Sequence, residues 1–478
     1  MNFLNGKIIK GLGILYLIFI IVLFISIIMN ILQMKVYYYF LPLIFSFIIL
    51  SLILYFLHKK TLKINILKIF PFLLIIAIIL YIILIFLPYN NPFVDYETFY
   101  YSASQFALGG TYNYKYIALF PHLWGYIFLL GNIFKILGTS YTIVVGTNII
   151  LNFITAFFIY KIFNKLLSEK MACVGVLVWL YNPINIIWCM FAFSGTAFNT
   201  FFVIAIYLLI LLLYTNKKKE KILFTTLLGI FLGIANLFRP IIVIIIIAFV
   251  ILLIYKTISR KNNQKKLTIL CFAIMLIFYL AIGKINITCL KNEIGYTPSE
   301  YIGFSLYNGS SLDSMGSYST KVGEILNEKL NSDIFDANTI QKDLQKLAIE
   351  NYKNNGIKNI ELIIQKLVTL TGNVGGYSWS NATSMLNIKL NFFVDKVVLC
   401  ITLFSYYFLL WMNLIFAINT IKTKKVLEIS NILILFLGGF TIASLFLEVS
   451  ARYYLPTLIP FTILGIMGLS NQLKKIRK

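Results

Sequence analysis

Apolar stretches long enough to cross a bilayer recur from one end of this chain to the other. A hydrocarbon core of roughly 30 Å needs about 17 to 25 such residues per helix. Of the 478 residues, 60% are hydrophobic and 12% charged, at a mean hydropathy of +0.88. No soluble core hides that much apolar surface, so the pattern predicts an all-α polytopic membrane protein with about 12 transmembrane helices. The spans are expected near 10–32, 36–57, 69–87, 141–163, 171–190, 197–214, 222–238, 240–255, 267–285, 394–418, 429–447 and 453–470. The basic start, Met1 to Lys10, precedes the first apolar run without a small-residue cleavage site, and is read as a retained signal anchor.

The net charge of +24 does not point to nucleic acid, because the basic residues sit mostly in short loops between spans. With the N-terminus inside, the loops 58–68, 164–170, 216–221, 256–266 and 421–425 and the tail 474–478 all fall on the cytoplasmic side. This parity requires that Phe120–Leu137, apolar but carrying Pro121, His122, Gly125, Gly131 and Lys135, does not cross. It is read as a helix at the outer surface. Four segments result: two N-terminal helices over 1–68, a transmembrane core over 69–285 with an outer loop at 88–140 carrying juxtamembrane helices, an α-rich extracytoplasmic cap over 286–391, and C-terminal helices with a basic cytoplasmic tail over 392–478. The cap holds ten of the 17 acids, and two amphipathic helices are expected there at 343–352 and 356–370.

Only two acids occur in the first 168 residues, Asp95 and Glu97, directly after an apolar run that ends at Pro88. A carboxylate against apolar walls suits a general base or a metal ligand. On a helix the two would diverge by about 200°, so one of them would face any given site, and Asp95 lies nearer the span. Arg239-Pro240 and Glu448-Val449-Ser450-Ala451-Arg452 fall at outer ends of spans. Arginines at that depth snorkel, pair with an acid or bind an anion, and two of them suit a lipid-linked phosphate. The plain alternative is an ion pair of Glu448 with Arg452 one turn away. Lys115 and Lys366 are further outer-side cations, and His122 could be a metal ligand, an acid or a surface residue. Tyr96, His122, Tyr453 and Trp379 are candidates to line a substrate. The five cysteines follow no metal or disulfide spacing and read as small buried hydrophobes. No Walker, Rossmann or G-x-S-x-G motif is present, so transfer on the outer face needs a pre-activated donor.

Four stretches in this order resemble the GT-C superfamily of membrane glycosyltransferases, in the branch of protein O-mannosyltransferases and aminoarabinose transferases. They are Val94-Asp95-Tyr96-Glu97 with Gly109-Gly110-Thr111-Tyr112, Phe120-Pro121-His122-Leu123 to Gly138, Gly229-Ile230-Phe231-Leu232-Gly233 to Arg239-Pro240, and Arg452-Tyr453-Tyr454-Leu455-Pro456 to Pro460. The resemblance covers about 69–470. It implies a GT-C-like fold and an inverting glycosyltransferase. A sugar would move from a polyprenyl-phosphate donor to a glycan, lipid or protein acceptor at the outer face of a bacterial plasma membrane. Asp95 would deprotonate the acceptor, with Glu97 beside it, and Arg452 would lie near the donor phosphate, with Arg239, Lys366 and Lys115 as further cations. Two departures stand out: Tyr96 separates acids that are adjacent in many relatives, and His122 replaces the second proline of a Pro-Pro pair. Some branches use a divalent metal, for which no convincing three ligands are legible here, and no other cofactor is expected. A transporter or flippase of lipid-linked glycans would favour mid-membrane charges and two symmetric halves, and an O-antigen-type polymerase or ligase is the third reading.

Overall fold

The computed structural model describes residues 6–59, 65–258, 262–332, 334–388 and 390–476. Parts of the basic loops at 60–64 and 259–261 and the last two residues of the tail lie outside the described residues. Among the described residues the chain is helical, with one isolated antiparallel bridge, Tyr89 to Leu386, and no named strand.

Two long apolar helices open the chain, α1 (Gly6–Gln33) and α2 (Phe40–His58), followed by α3 (Ile66–Ile85). The next segment folds into α4 (Asp95–Leu108), α5 (Tyr114–Leu119), a 3-10 turn (Pro121–Leu123) and α6 (Trp124–Leu137). The core continues through α7 (Tyr141–Leu166), α8 (Glu169–Leu180), α9 (Pro183–Trp188), α10 (Ser194–Tyr214), α11 (Lys218–Phe238), α12 (Ile242–Ile258) and α13 (Asn262–Ile294). The polar segment carries α14 (Gly303–Ser310), α15 (Thr320–Leu330), α16 (Ala337–Asn355), α17 (Lys358–Thr371) and α18 (Val374–Met385). It is followed by α19 (Phe392–Thr423), α20 (Glu428–Ser444), a 3-10 segment (Ala451–Thr457) and α21 (Leu458–Ile476). Nine helices among the described residues are long and apolar enough to cross a membrane, and two shorter apolar ones cover Ile242–Leu252 and Glu428–Ser444. The chain is a multi-pass membrane protein.

Eleven of the expected spans thus have a helical counterpart, and one does not. The stretch 171–190 breaks into α8 and α9. Pro183 cannot sit inside a helix without losing a hydrogen bond and clashing with the preceding turn. It takes the first position of α9 instead, while Asn182 caps that helix by accepting from the Ile184 N–H at 3.0 Å. The expected non-crossing stretch 120–137 is a 3-10 turn plus α6, whose 14 residues rise only about 21 Å.

Glycines set the tightest contacts. A Cβ on Gly229 would lie 2.5 Å from the Met275 carbonyl oxygen, and one on Gly233 would lie 2.7 Å from Ile282 Cβ, so the Gly229-x-x-x-Gly233 face lets α11 pack directly on α13. On Gly125 a Cβ would meet the Leu237 carbonyl at 2.3 Å, which holds the start of α6 against the end of α11. The two N-terminal helices are built into the bundle. Tyr16 donates to Asn413 of α19 at 2.7 Å, Ser26 meets Thr371 of α17 at 2.7 Å, and Gln33 donates to Gln365 at 3.0 Å. Contacts of this kind in bilayers contribute about 0.6 kcal/mol each.

Candidate active site

α4 begins at Asp95. The residue before it, Val94, has φ 52° and ψ −129°, a backbone region that β-branched side chains avoid. Holding valine there costs of order 1–3 kcal/mol and swings the chain from the Tyr89–Leu386 bridge into the helix. The bridge is secured by Asn90 N–H to Met385 O at 2.8 Å and Asn387 N–H to Pro88 O at 3.0 Å, which ties the approach to Asp95 to the end of α18. As first-turn residues Asp95 and Glu97 both complement the helix dipole, and they diverge as helical spacing requires. Glu97 is exposed, while Asp95 turns inward.

Asp95 Oδ2 lies 2.6 Å from Arg452 Nη2, and the two side chains are 35% and 11% exposed, respectively. The pair is therefore walled by protein on the arginine side and open on the aspartate side. Arg452 Nη2 also donates to the Tyr453 hydroxyl at 3.4 Å, and Tyr453 donates to Glu448 Oε1 at 2.9 Å. The alternative, an ion pair of Glu448 with Arg452, gives way to these contacts, because 451–457 is a 3-10 segment that directs Arg452 to α4. Tyr96 is buried among Phe93, Trp188, Phe191 and Phe193, and its hydroxyl donates to Asn381 of α18 at 3.2 Å. It supports the site from beneath.

Arg239 ends α11, its guanidinium carbon 4.7 Å from the centre of the Phe193 ring. It feels the charge of Arg452 and the phenols of Tyr453 and Tyr96, so it shares their neighbourhood, and burial lowers its pKa to about 10. The Nε of Arg239 and the Nε of Arg452 are buried without a hydrogen-bond partner. His122 is exposed to solvent on one face, with protein packed densely around the rest of the ring. Burial depresses its pKa to about 4 against the pull of Asp95, with Arg239 adding to the depression. The imidazole is thus neutral at neutral pH, able both to donate and to accept. Tyr116 of α5 feels Asp95, Glu448 and Arg452, with burial the main cause of its raised pKa.

Residues 121–282 match the family model described as dolichyl-phosphate-mannose-protein mannosyltransferase. Over that stretch, about a third of its length, the chain is similar to this mannosyltransferase family. The matched region contains Pro121, His122 and Arg239, while Asp95 and Arg452 lie outside it. The apo crystal structure of ArnT from Cupriavidus metallidurans is similar over 84% of this chain and 77% of that one, at 9% identity and a TM-score of 0.36. A likeness that loose carries no argument about individual residues. No curated protein matches the chain.

Other residues singled out as GT-C site candidates are engaged elsewhere. Lys366 is fully buried, and its Nζ donates to Gly309 O at 2.8 Å and the Tyr352 hydroxyl at 3.3 Å. Lys115 donates to the carbonyls of Leu330 and Ser332, both at 3.0 Å. Both ammonium groups hold backbone rather than an open site. Trp379 is buried and donates to Asp395 Oδ1 at 2.8 Å. It lies on a different side of α18 from Tyr377, two residues earlier, which is the one that feels Arg452 and Tyr96. Sequence reasoning misses Tyr116, Tyr377 and Asn381. Among the described residues no group of three or more His, Cys, Asp or Glu is placed to hold a metal ion. The described residues do not fit such a site. A groove of about 500 Å³ lies apart from this chemistry, lined by Ile78 and Ile82 of α3 and Ile149 and Phe153 of α7.

Proposed function

We propose that this protein is an inverting glycosyltransferase that moves a sugar from a polyprenyl-phosphate donor to an acceptor hydroxyl at the outer face of the membrane. One observation carries the reading: a carboxylate open to solvent, Asp95, is 2.6 Å from Arg452, with a second buried arginine, Arg239, in the same neighbourhood. A base and an anion-binding pair are what transfer from a lipid phosphate requires.

In the resting site Arg452 occupies one carboxylate oxygen of Asp95. A donor phosphate competes for the guanidinium, and its oxygens take the unspent N–H groups of Arg452 and Arg239. Asp95 Oδ2 is then free to accept the proton of the acceptor hydroxyl. The acceptor oxygen attacks the anomeric carbon from the face opposite the phosphate. The C–O bond to phosphate breaks, the electron pair leaves with the phosphate, and the arginines stabilise the charge that develops there. Neutral His122, exposed and within the electrostatic reach of Asp95 and Arg239, is suited to hydrogen-bond a sugar hydroxyl without adding charge. No step passes through a metal.

The outer-face assignment rests on charge. The basic loops 164–170, 216–221 and 421–425 fall on one side when 120–137 does not cross and the broken stretch 171–190 does, its end returning to Tyr141, and Asp95 lies on the other. The plasma membrane of a bacterium, with both termini cytoplasmic, is the setting this reading requires.

The test is transfer in vitro from a radiolabelled polyprenyl-phosphate sugar, comparing the wild-type protein with Asp95→Asn. Loss of a general base lowers the rate by about 10²-fold or more. Equal rates in the two proteins would remove Asp95 as the base.

A further inference from the structure

Arg452 is held by more than its aspartate. Asn308 at the end of α14 donates from Nδ2 to Glu448 Oε2 at 2.9 Å, and Tyr453 donates to the other oxygen of that carboxylate at 2.9 Å. Arg452 Nη2 in turn donates to the Tyr453 oxygen at 3.4 Å and meets Asp95 at 2.6 Å. One continuous line runs from the polar segment to α4 through Asn308, Glu448, Tyr453, Arg452 and Asp95.

The direction of every link is fixed. Asn308 is fully buried, and its Oδ1 accepts from the Ser319 backbone N–H at 3.1 Å, so Nδ2 must face Glu448. Arg452 has only donors, so the Tyr453 oxygen must accept from it, and the Tyr453 proton must go to Glu448. Glu448 therefore accepts at both ends, an arrangement that suits an ionised carboxylate and works against the burial that raises its pKa. The backbone frames the same contact. Glu448 N–H donates to Ser305 O at 2.7 Å and Val449 N–H to Gly316 O at 2.9 Å, while a Cβ on Gly309 would lie 2.5 Å from the Leu447 carbonyl carbon.

We infer that Glu448 and Asn308 are positioning residues: through the Tyr453 hydroxyl they fix the Arg452 guanidinium, so that the helices over 303–385 set how the donor phosphate is gripped. This rests on the glycosyltransferase reading above, since it takes Arg452 to be the phosphate ligand. Neither residue touches substrate in this scheme.

Because the line is directional, it predicts a donor–acceptor exchange. In Glu448→Gln an amide NH₂ must face either Asn308 Nδ2, which breaks that link, or the Tyr453 oxygen, which reverses that link and leaves the phenol proton without its acceptor. In Asn308→Asp two carboxylates face each other. In the double variant the glutamine NH₂ donates to the new aspartate, its oxygen accepts from Tyr453, and the total charge is unchanged. The measurement is equilibrium binding of undecaprenyl phosphate to the full-length protein in detergent, with thermal unfolding followed alongside. Each single variant should bind about tenfold or more weakly, the worth of a hydrogen bond to a charged group. The double variant should recover most of that loss. In a Tyr453→Phe background, which removes only the hydroxyl, Glu448→Gln should cause no further loss of affinity, whereas a merely structural role would add to it.

Tyr453→Phe also covers the case in which Glu448→Gln fails to fold. Wild-type affinity in Glu448→Gln or in Tyr453→Phe would overturn the inference, as would a stable double variant no better than the singles. Wild-type protein that neither binds the lipid phosphate nor transfers sugar would instead bring down the glycosyltransferase reading, and this inference with it.

Discussion

Lys366 shows how one side chain can be misjudged from its charge. As an outer-side cation it is a plausible phosphate ligand, yet it is fully buried, holding Gly309 and Tyr352. Burial lowers its pKa from 10.5 to about 7, and a neutral amine still has protons for both partners. Between about pH 7 and 10.5 the unfolded chain keeps the proton that the folded chain has released, so stability rises with pH in that window and is lost again as pH falls toward 7. Thermal unfolding in detergent should show the wild-type protein more stable at about pH 9 than at about pH 7, and Lys366→Met should flatten that difference. A wild-type profile without the rise would mean that the lysine stays protonated in the fold. Charge type and position along the chain are legible in a sequence. Whether a cation is spent on a carbonyl several turns away is not, since it depends on how α14 and α17 meet.

Helix pairs carry the placement of the arginines. α6 starts against the end of α11 because Gly125 lets it approach the Leu237 carbonyl, two residues before Arg239. Gly125→Ala must push the helices apart, a backbone clash that should cost about 1–3 kcal/mol. Thermal unfolding would record that loss, and polyprenyl-phosphate binding should weaken with it as Arg239 is displaced. Unchanged stability would mean that the contact yields freely. The Gly229-x-x-x-Gly233 face was readable from spacing alone, and so was the divergence of Asp95 and Glu97, because both follow from helical period. The break at Asn182-Pro183 was equally present in the sequence. A length count alone treats 171–190 as one apolar run, but a proline with a capping residue before it decides otherwise.

Across the entire chain, hydropathy and loop charge carry the topology. The apolar runs appear as helices because each long helix satisfies its own backbone hydrogen bonds, whatever it packs against. The meeting of Asp95 with Arg452 is a different matter. It joins the first turn of α4 to a 3-10 segment near the other end of the chain, and no local pattern encodes that pairing. Sidedness can be tested with a native probe. Cys289 is exposed near the end of α13, whereas Cys173, Cys189 and Cys271 are buried. In intact cells a membrane-impermeant maleimide should label Cys289. Labelling only after permeabilisation would reverse the orientation. A last consequence follows from α6 having 14 residues. About two extra apolar turns would make it long enough to traverse the bilayer. Every later helix would then change compartments while Asp95 stayed behind, leaving the acid and Arg452 on opposite sides of the lipid. An insertion of a few codons there would dismantle the site without altering any residue in it.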